Sequence, residues 1–160
     1  MSRRQRLPLD AYAVNGSVWH ATICTSRQVG AAFSESAGAR LILDSFDNGC
    51  RFHKAIPHVV CVMPDHVHLL IEVRDIGLVE LVGRVKSFSM MQWWKQGNHG
   101  LLWQESFYDH GIRGPRDFEA TLTYILNNPV EAELASEWEA YPFIGGTLIR
   151  EDDGLVSEGL

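Results

Sequence analysis

The sequence predicts an α+β fold built on one antiparallel sheet, and three observations lead to it. Short stretches rich in β-branched and aromatic residues alternate with longer stretches whose apolar residues recur at helical spacing, in the order β-α-β-β-α-β. Two apolar runs on either side of Met63-Pro64-Asp65 are close enough to pair as a hairpin. A further helical stretch, rich in Thr, Tyr and Asn on one flank, follows the fourth strand. That order is the ferredoxin-like split arrangement, in which two helices cover one sheet face and leave the other for a second layer or a ligand.

The first strand is read at Ser17–Thr25 (SVWHATICT), after the turn-like Asn15-Gly16. Ser26 is placed to cap a helix over Arg27–Asp47, where Ala39, Ile42, Leu43 and Phe46 recur at i, i+3, i+4 and i+7, and Asn48-Gly49 supplies a stop. The second strand, His53–Met63, is interrupted by Pro57, and Pro64-Asp65 turns the chain into a third, His66–Arg74. After the break at Asp75-Ile76-Gly77, Leu78, Leu81, Val82 and Val85 begin a helical stripe that runs through Phe88 to Lys95. Residues 97–100 form a loop, and Ser106–Arg113 (SFYDHGIR) is the fourth strand, bounded by Gly114-Pro115. Pro115 suits the first turn of the last helix, with Phe118, Leu122 and Ile125 facing the core. Thr121, Tyr124 and Asn128 share an adjacent flank, and Pro129 is expected to end the helix.

At 160 residues and 46% hydrophobic composition, the chain can fill one core without disulfides. Its three cysteines form no Cys-x-x-Cys pair, which suits a reducing compartment. The opening residues MSRRQRLPLD are basic but lack the apolar core of an export signal. No run approaches the ~20 apolar residues of a membrane span, so a cytoplasmic protein without membrane contact is expected.

The formal net charge of −6 argues against a simple nucleic-acid binder, yet the acidity is local. Residues 131–160 carry eight acids and one base, leaving 1–130 close to neutral. Basic residues cluster at Arg3, Arg4 and Arg6 and at Arg84 and Lys86, and these are the candidate DNA contacts.

Chemistry concentrates in two stretches. In VVCVMPDHVHLLIEV (Val59–Val73), strand alternation points His66 and His68 to one face, and two neighbouring imidazoles make half of a metal site. In TLTYILNNPV (Thr121–Val130), Tyr124 offers a phenol and Asn128, one turn later, a carboxamide. A tyrosine can attack phosphorus, but with an ordinary pKa of about 10 only about 0.1% is phenolate at neutral pH. A divalent cation that polarises the phosphate supplies the missing activation, and imidazole with amide oxygen accepts Mn²⁺ or Mg²⁺ while leaving positions open. Asn127 stands as a fallback third ligand, because Asn128 precedes a proline and is biased away from helical backbone. Tyr108 is the alternative nucleophile, and Asp65 and His110 are candidates for orienting the ligands. A histidine-triad hydrolase would need a third histidine where Leu70 stands.

These residues resemble a known family. MPDHVHLL is similar to the His-hydrophobic-His motif of the HUH single-tyrosine transposases, and LWQESFYDHGIR with YILNNPV resembles the REP-associated tyrosine transposase branch. The resemblance extends over most of Arg4–Val130, including Leu7-Pro8 and the VKSFS segment. It implies a metal-dependent single-stranded DNA endonuclease and strand-transferase acting on hairpin-forming DNA, as a monomer or homodimer. It further implies that His66 and His68 bind Mg²⁺ or Mn²⁺, that Tyr124 attacks to give a 5′-phosphotyrosine and a free 3′-OH, and that Asn128 replaces a glutamine ligand. The chain then divides into a basic arm (1–16), a catalytic domain (17–130) and an acidic extension (131–160) that departs from the family's usual basic character. A non-catalytic DNA-binding relative would keep the same residues, and a cleavage assay separates the two.

Overall fold

The computed structural model describes residues 6–149. Its elements are β1 (Val18–Cys24), α1 (Ser36–Phe52), β2 (Ile56–Val62), β3 (His66–Glu72), α2 (Leu78–Lys95), β4 (Tyr108–Gly111), α3 (Pro115–Glu131) and β5 (Ile144–Gly145), with short 3-10 turns at Leu9–Ala13 and Trp138–Ala140. The strands lie in the order β4-β1-β3-β2-β5 and every pair is antiparallel. The first four strands and two helices have the expected ferredoxin-like order.

Strand alternation sorts the residues into two layers. Trp19, Ala21 and Ile23 of β1, Val60 and Val62 of β2, and Val67, Leu69 and Ile71 of β3 form the main core with Ala39, Ile42 and Phe46 of α1 and Leu78, Leu81, Val82 and Val85 of α2. The opposite face carries Val59, Cys61 and Leu70, which pack under Ile125 of α3 and Tyr141. The same parity places His20, Thr22, His66 and His68 on the α3 side. Helices therefore cover both faces, two on one and the tyrosine-bearing helix on the other.

Several boundaries differ from the sequence reading. The first helix starts at Ser36, not Arg27, because residues 26–35 form a compact loop tied back to the sheet. In it, Gly30 adopts a φ of +54°, its oxygen accepts the Thr25 hydroxyl at 2.6 Å, and Phe33 is buried with its N–H on the Pro64 oxygen. Ser26 caps no helix; its hydroxyl donates to the Leu101 oxygen. Asn48-Gly49 does not stop α1 either. A Cβ on Gly49 would lie 2.6 Å from Val85 Cγ2, so glycine here is what lets α1 and α2 approach. Strand β2 begins only at Ile56, after Lys54 at φ +56°, and its pairing with β3 shifts register between Pro57 and Val59. Strands β3 and β4 are shorter than read.

Pro129 does not end the last helix, which continues to Glu131. The proline forfeits one backbone donor, but it is buried and its oxygen accepts the Leu134 N–H at 2.9 Å. The segment beyond, read as an acidic extension, joins the sheet. Val62 N–H donates to the Phe143 oxygen, and β5 pairs with β2 through Val60–Gly145 and Cys61–Ile144. Gly146, at φ +119°, then turns the chain where a Cβ would lie 2.6 Å from the His58 oxygen. All three cysteines are free, and burial pushes the Cys50 and Cys61 thiols up to about 12. No described helix is long and apolar enough to cross a membrane.

Candidate active site

The hairpin between β2 and β3 creates the centre of the site. Its turn is closed by Met63 N–H on the His66 oxygen at 2.8 Å and clamped by Thr25, whose N–H donates to the Asp65 oxygen at 2.9 Å. His66 and His68 then project together from the α3 face of β3, and their Nε2 atoms face each other at 3.2 Å. Two ligands of one octahedral ion, each at ~2.1 Å and at right angles, are ~3 Å apart, so the pair fits adjacent coordination positions. Asp65 Oδ1 lies 2.7 Å from His66 Nδ1, which holds a hydrogen there and leaves the Nε2 lone pair free. Asp65 is thus both a turn residue and an orienting one, with its side chain largely exposed.

His68 is buried, at 3% exposure. Burial, followed by the proximity of His66 and His20, pushes its pKa down to about 3, so the ring is neutral and able to donate a lone pair. The nearby Asn128 carboxamide acts in the opposite direction. Asn128 therefore lies on the His68 side of α3 despite the following proline, whereas Asn127 is exposed. Among the described residues, no three His, Cys, Asp or Glu side chains converge as a metal-holding group. A divalent ion here would take two imidazoles and an amide, a set suited to Mn²⁺ or Mg²⁺ with positions left for phosphate oxygens.

Tyr124 reaches the same place from α3. Its ring meets His68 edge-on at 5.5 Å between centroids and His20 at 5.9 Å, while half of its surface stays exposed. The alternative phenol, Tyr108, lies on β4 opposite Thr22 and is 63% exposed. The helix that carries Tyr124 is anchored at its start by Asp117, whose carboxylate accepts the Arg113 N–H at 2.8 Å and contacts His110 Nε2 at 3.0 Å. The Arg113 hydrogen bond, then His110, holds the Asp117 carboxyl below its usual range. His110 is thus a tether between β4 and α3, directly across the sheet from His20.

His20 escaped the sequence reading. Alternation alone places it on the α3 face with Thr22, but only the β1–β3 register brings its Nε2 to 3.1 Å from His68 Nδ1. Burial, with His110 next, lowers its pKa.

The candidate DNA-binding cations are less available than their sequence clusters imply. Arg84 pairs with Glu80 one turn earlier at 2.7 Å. Lys86 Nζ donates to the main-chain oxygens of Gln104 and Glu105 at 2.6 and 3.2 Å, and burial lowers its pKa. Arg6 stacks on Phe107 at 4.4 Å and lies 3.8 Å from Asp109, which also accepts the Tyr12 hydroxyl. Arg3 and Arg4 lie outside the described residues.

A protein of Haemophilus influenzae assigned to the REP-associated tyrosine transposases is 25% identical over 109 residues, 59% of this chain. The chain spans 62% of that relative's length. Among solved structures, a REP-associated tyrosine transposase bound to a REP hairpin superposes with a TM-score of 0.73 at 18% identity, covering 95% of this chain and 96% of the other. A Deinococcus radiodurans protein assigned as a transposase gives 0.52 at 17% identity, covering 80% and 97%. These likenesses establish the same fold. The sequence model of the family described as "Transposase IS200 like" matches residues 17–128, more than half of the chain, and contains His66, His68, Tyr124 and Asn128. The chain belongs to the IS200-like transposase family.

Proposed function

We propose that the protein cleaves and rejoins single-stranded DNA next to a hairpin, using Tyr124 as nucleophile and a divalent ion held by His66, His68 and Asn128. The observation that carries the proposal is the placement of the Tyr124 ring against His68, whose Nε2 faces that of His66 at 3.2 Å. The relative bound to a REP hairpin supports the hairpin as partner.

Mg²⁺ or Mn²⁺, when bound, would polarise the scissile phosphate and neutralise charge developing on its oxygens. The chain's own residues do the rest. Asp65 orients His66 through Nδ1, and the neutral state of His68 keeps a lone pair available. Helix α3 delivers Tyr124 from the opposite layer, pinned by Asp117 at its start and by Ile125 in its middle. The Tyr124 oxygen attacks phosphorus and loses its proton, and the bond from phosphorus to the 3′ oxygen breaks. The products are a 5′-phosphotyrosine and a protonated 3′-OH, and rejoining reverses the step.

The test is incubation with Mn²⁺ and labelled single-stranded hairpins from the DNA flanking the gene. Wild-type protein should give a covalent adduct that survives denaturation, and Tyr124→Phe should bind the DNA without forming it. His66→Ala and His68→Ala should each abolish cleavage. An adduct mapping to Tyr108 would transfer the nucleophile's role, and binding without any adduct would identify a non-catalytic DNA-binding member of the family.

A further inference from the structure

We infer that His20 is a positioning residue that fixes the ring of His68 by receiving the hydrogen on its Nδ1, and that braces the same ring against Tyr124. The inference rests on the reading of His66 and His68 as ligands of one ion.

His68 has no freedom to find another arrangement. It is 3% exposed, in the centre of the sheet, with Nε2 turned to His66. A neutral imidazole that presents a lone pair at one nitrogen carries its hydrogen on the other, and on a ring as buried as His68 that hydrogen needs a protein acceptor. Two atoms are within reach of Nδ1: His20 Nε2 at 3.1 Å and Thr22 Oγ1 at 3.2 Å. The hydroxyl can rotate to donate or accept, so it suits either form of the His68 ring and selects neither. His20 is held by its surroundings. Its ring lies 5.3 Å from that of His68 and 5.9 Å from that of Tyr124, and Tyr124 closes the triangle at 5.5 Å from His68. Across the sheet, His110 faces His20 and is itself held by Asp117 in the first turn of α3. His20 is therefore in contact with a proposed ligand and with the proposed nucleophile, backed by a residue that tethers the helix supplying that nucleophile.

The consequence is that His20 sets both metal affinity and the register of α3 over the site. Ligand histidines whose second nitrogen loses its partner typically lose metal affinity by roughly 10–100-fold. His20→Phe keeps a ring of similar size without the acceptor, His20→Gln returns an acceptor without the ring, and Thr22→Val removes the competing hydroxyl.

The experiment uses the full chain and three measurements: Mn²⁺ affinity from the electron paramagnetic resonance of the free ion, ¹⁵N shifts of the His68 ring with Mg²⁺ bound, and circular dichroism. His20→Phe should weaken Mn²⁺ by roughly 10–100-fold with unchanged secondary structure. His20→Gln should recover most of that loss, and Thr22→Val should cost less than His20→Phe. In the unaltered protein, His68 should appear as a single Nδ1–H form with a nitrogen–nitrogen coupling to His20 across the hydrogen bond, a readout that stands even if a variant fails to fold. Mn²⁺ affinity within twofold of wild type in a folded His20→Phe protein, absence of that coupling, or a full loss reproduced by Thr22→Val would each overturn the role of His20 while leaving the ion site in place. Failure of the unaltered chain to bind Mn²⁺ would overturn the ligand assignment and this inference with it.

Discussion

Tyr141 donates its phenolic hydrogen to the main-chain oxygen of Val62 at 2.6 Å, so the segment after α3 is bonded to the strand next to the one that carries His66 and His68. Burial raises the Tyr141 pKa to about 12, as expected for a phenol kept from water. Tyr141→Phe should cost about 1–3 kcal/mol, because the Val62 oxygen loses a partner in a buried site. Tyr141→Ala should cost about 3–5 kcal/mol by also emptying the space beside Cys61 and Ile125. Urea unfolding of both variants measures the difference.

Truncation tests the same contact on a larger scale. Deleting residues 141–160 removes the Phe143 oxygen from Val62 and the β5 pairing from β2. The melting temperature and hairpin affinity should fall together, although the deletion takes away acidic residues and would favour a polyanion on charge alone. A truncated protein that melts as the full chain does, with tighter DNA binding, would contradict this.

The proposed third ligand is open to direct comparison. Asn128 is near enough to His68 to influence it and Asn127 faces solvent, so Asn128→Ala should weaken Mn²⁺ by about tenfold or more and Asn127→Ala by less than twofold. Calorimetric titration of each variant with Mn²⁺ gives the answer, and equal losses would remove Asn128 from the set.

Arg84 and Lys86 should behave differently although both are cations on α2. Arg84 is exposed and shares its charge with Glu80, so Arg84→Ala should reduce the salt dependence of DNA binding by about 0.7 of a logarithmic unit if it meets a phosphate. Lys86 is bonded to two carbonyls of the 104–105 segment. Lys86→Met should therefore lower stability by about 1–3 kcal/mol and leave the salt slope unchanged. Binding isotherms at several salt concentrations, with melts alongside, separate the two roles.

Acid should destabilise the fold through its buried and half-buried histidines. Burial holds His58 and His20 below the ordinary histidine value of 6.5 and takes His68 to about 3, while Glu72 pulls His58 partly back. Between the unfolded and folded values the unfolded chain binds the extra protons, so this stability is present in full above about pH 6.5 and is lost as the pH falls below it. For His68 the loss continues to about pH 3. His58→Gln should shrink the decline in unfolding free energy from pH 7 to pH 5, as read from denaturant midpoints; an identical decline would show that His58 does not contribute.

The main architecture was legible in the sequence because each signal there is periodic or local. The alternation around His66 and His68, the stripe from Leu78 to Val85 and the proline opening α3 all report on one element at a time. What escaped depends on elements meeting. Gly49 reads as a helix stop until Val85 is seen against it, and Pro129 reads as a terminator until its buried ring is seen. His20 looks like any strand histidine until β1 is registered on β3. The partners of Arg84 and Lys86 were hidden for the same reason, since a cluster in sequence says nothing of the carboxylates and carbonyls that engage it in space.

The pairing of β2 with β5 has a consequence for synthesis. A nascent chain released only as far as α3 already contains His66, His68 and Tyr124, but the outer edge of β2 has no neighbour until residues 143–145 follow. Until then Val60 and Val62 lie on a strand whose open hydrogen-bonding edge is a template for another nascent chain on the same message. The interval between the emergence of β2 and that of residues 143–145 is thus one in which the nascent chain is exposed to chain-to-chain association along this edge.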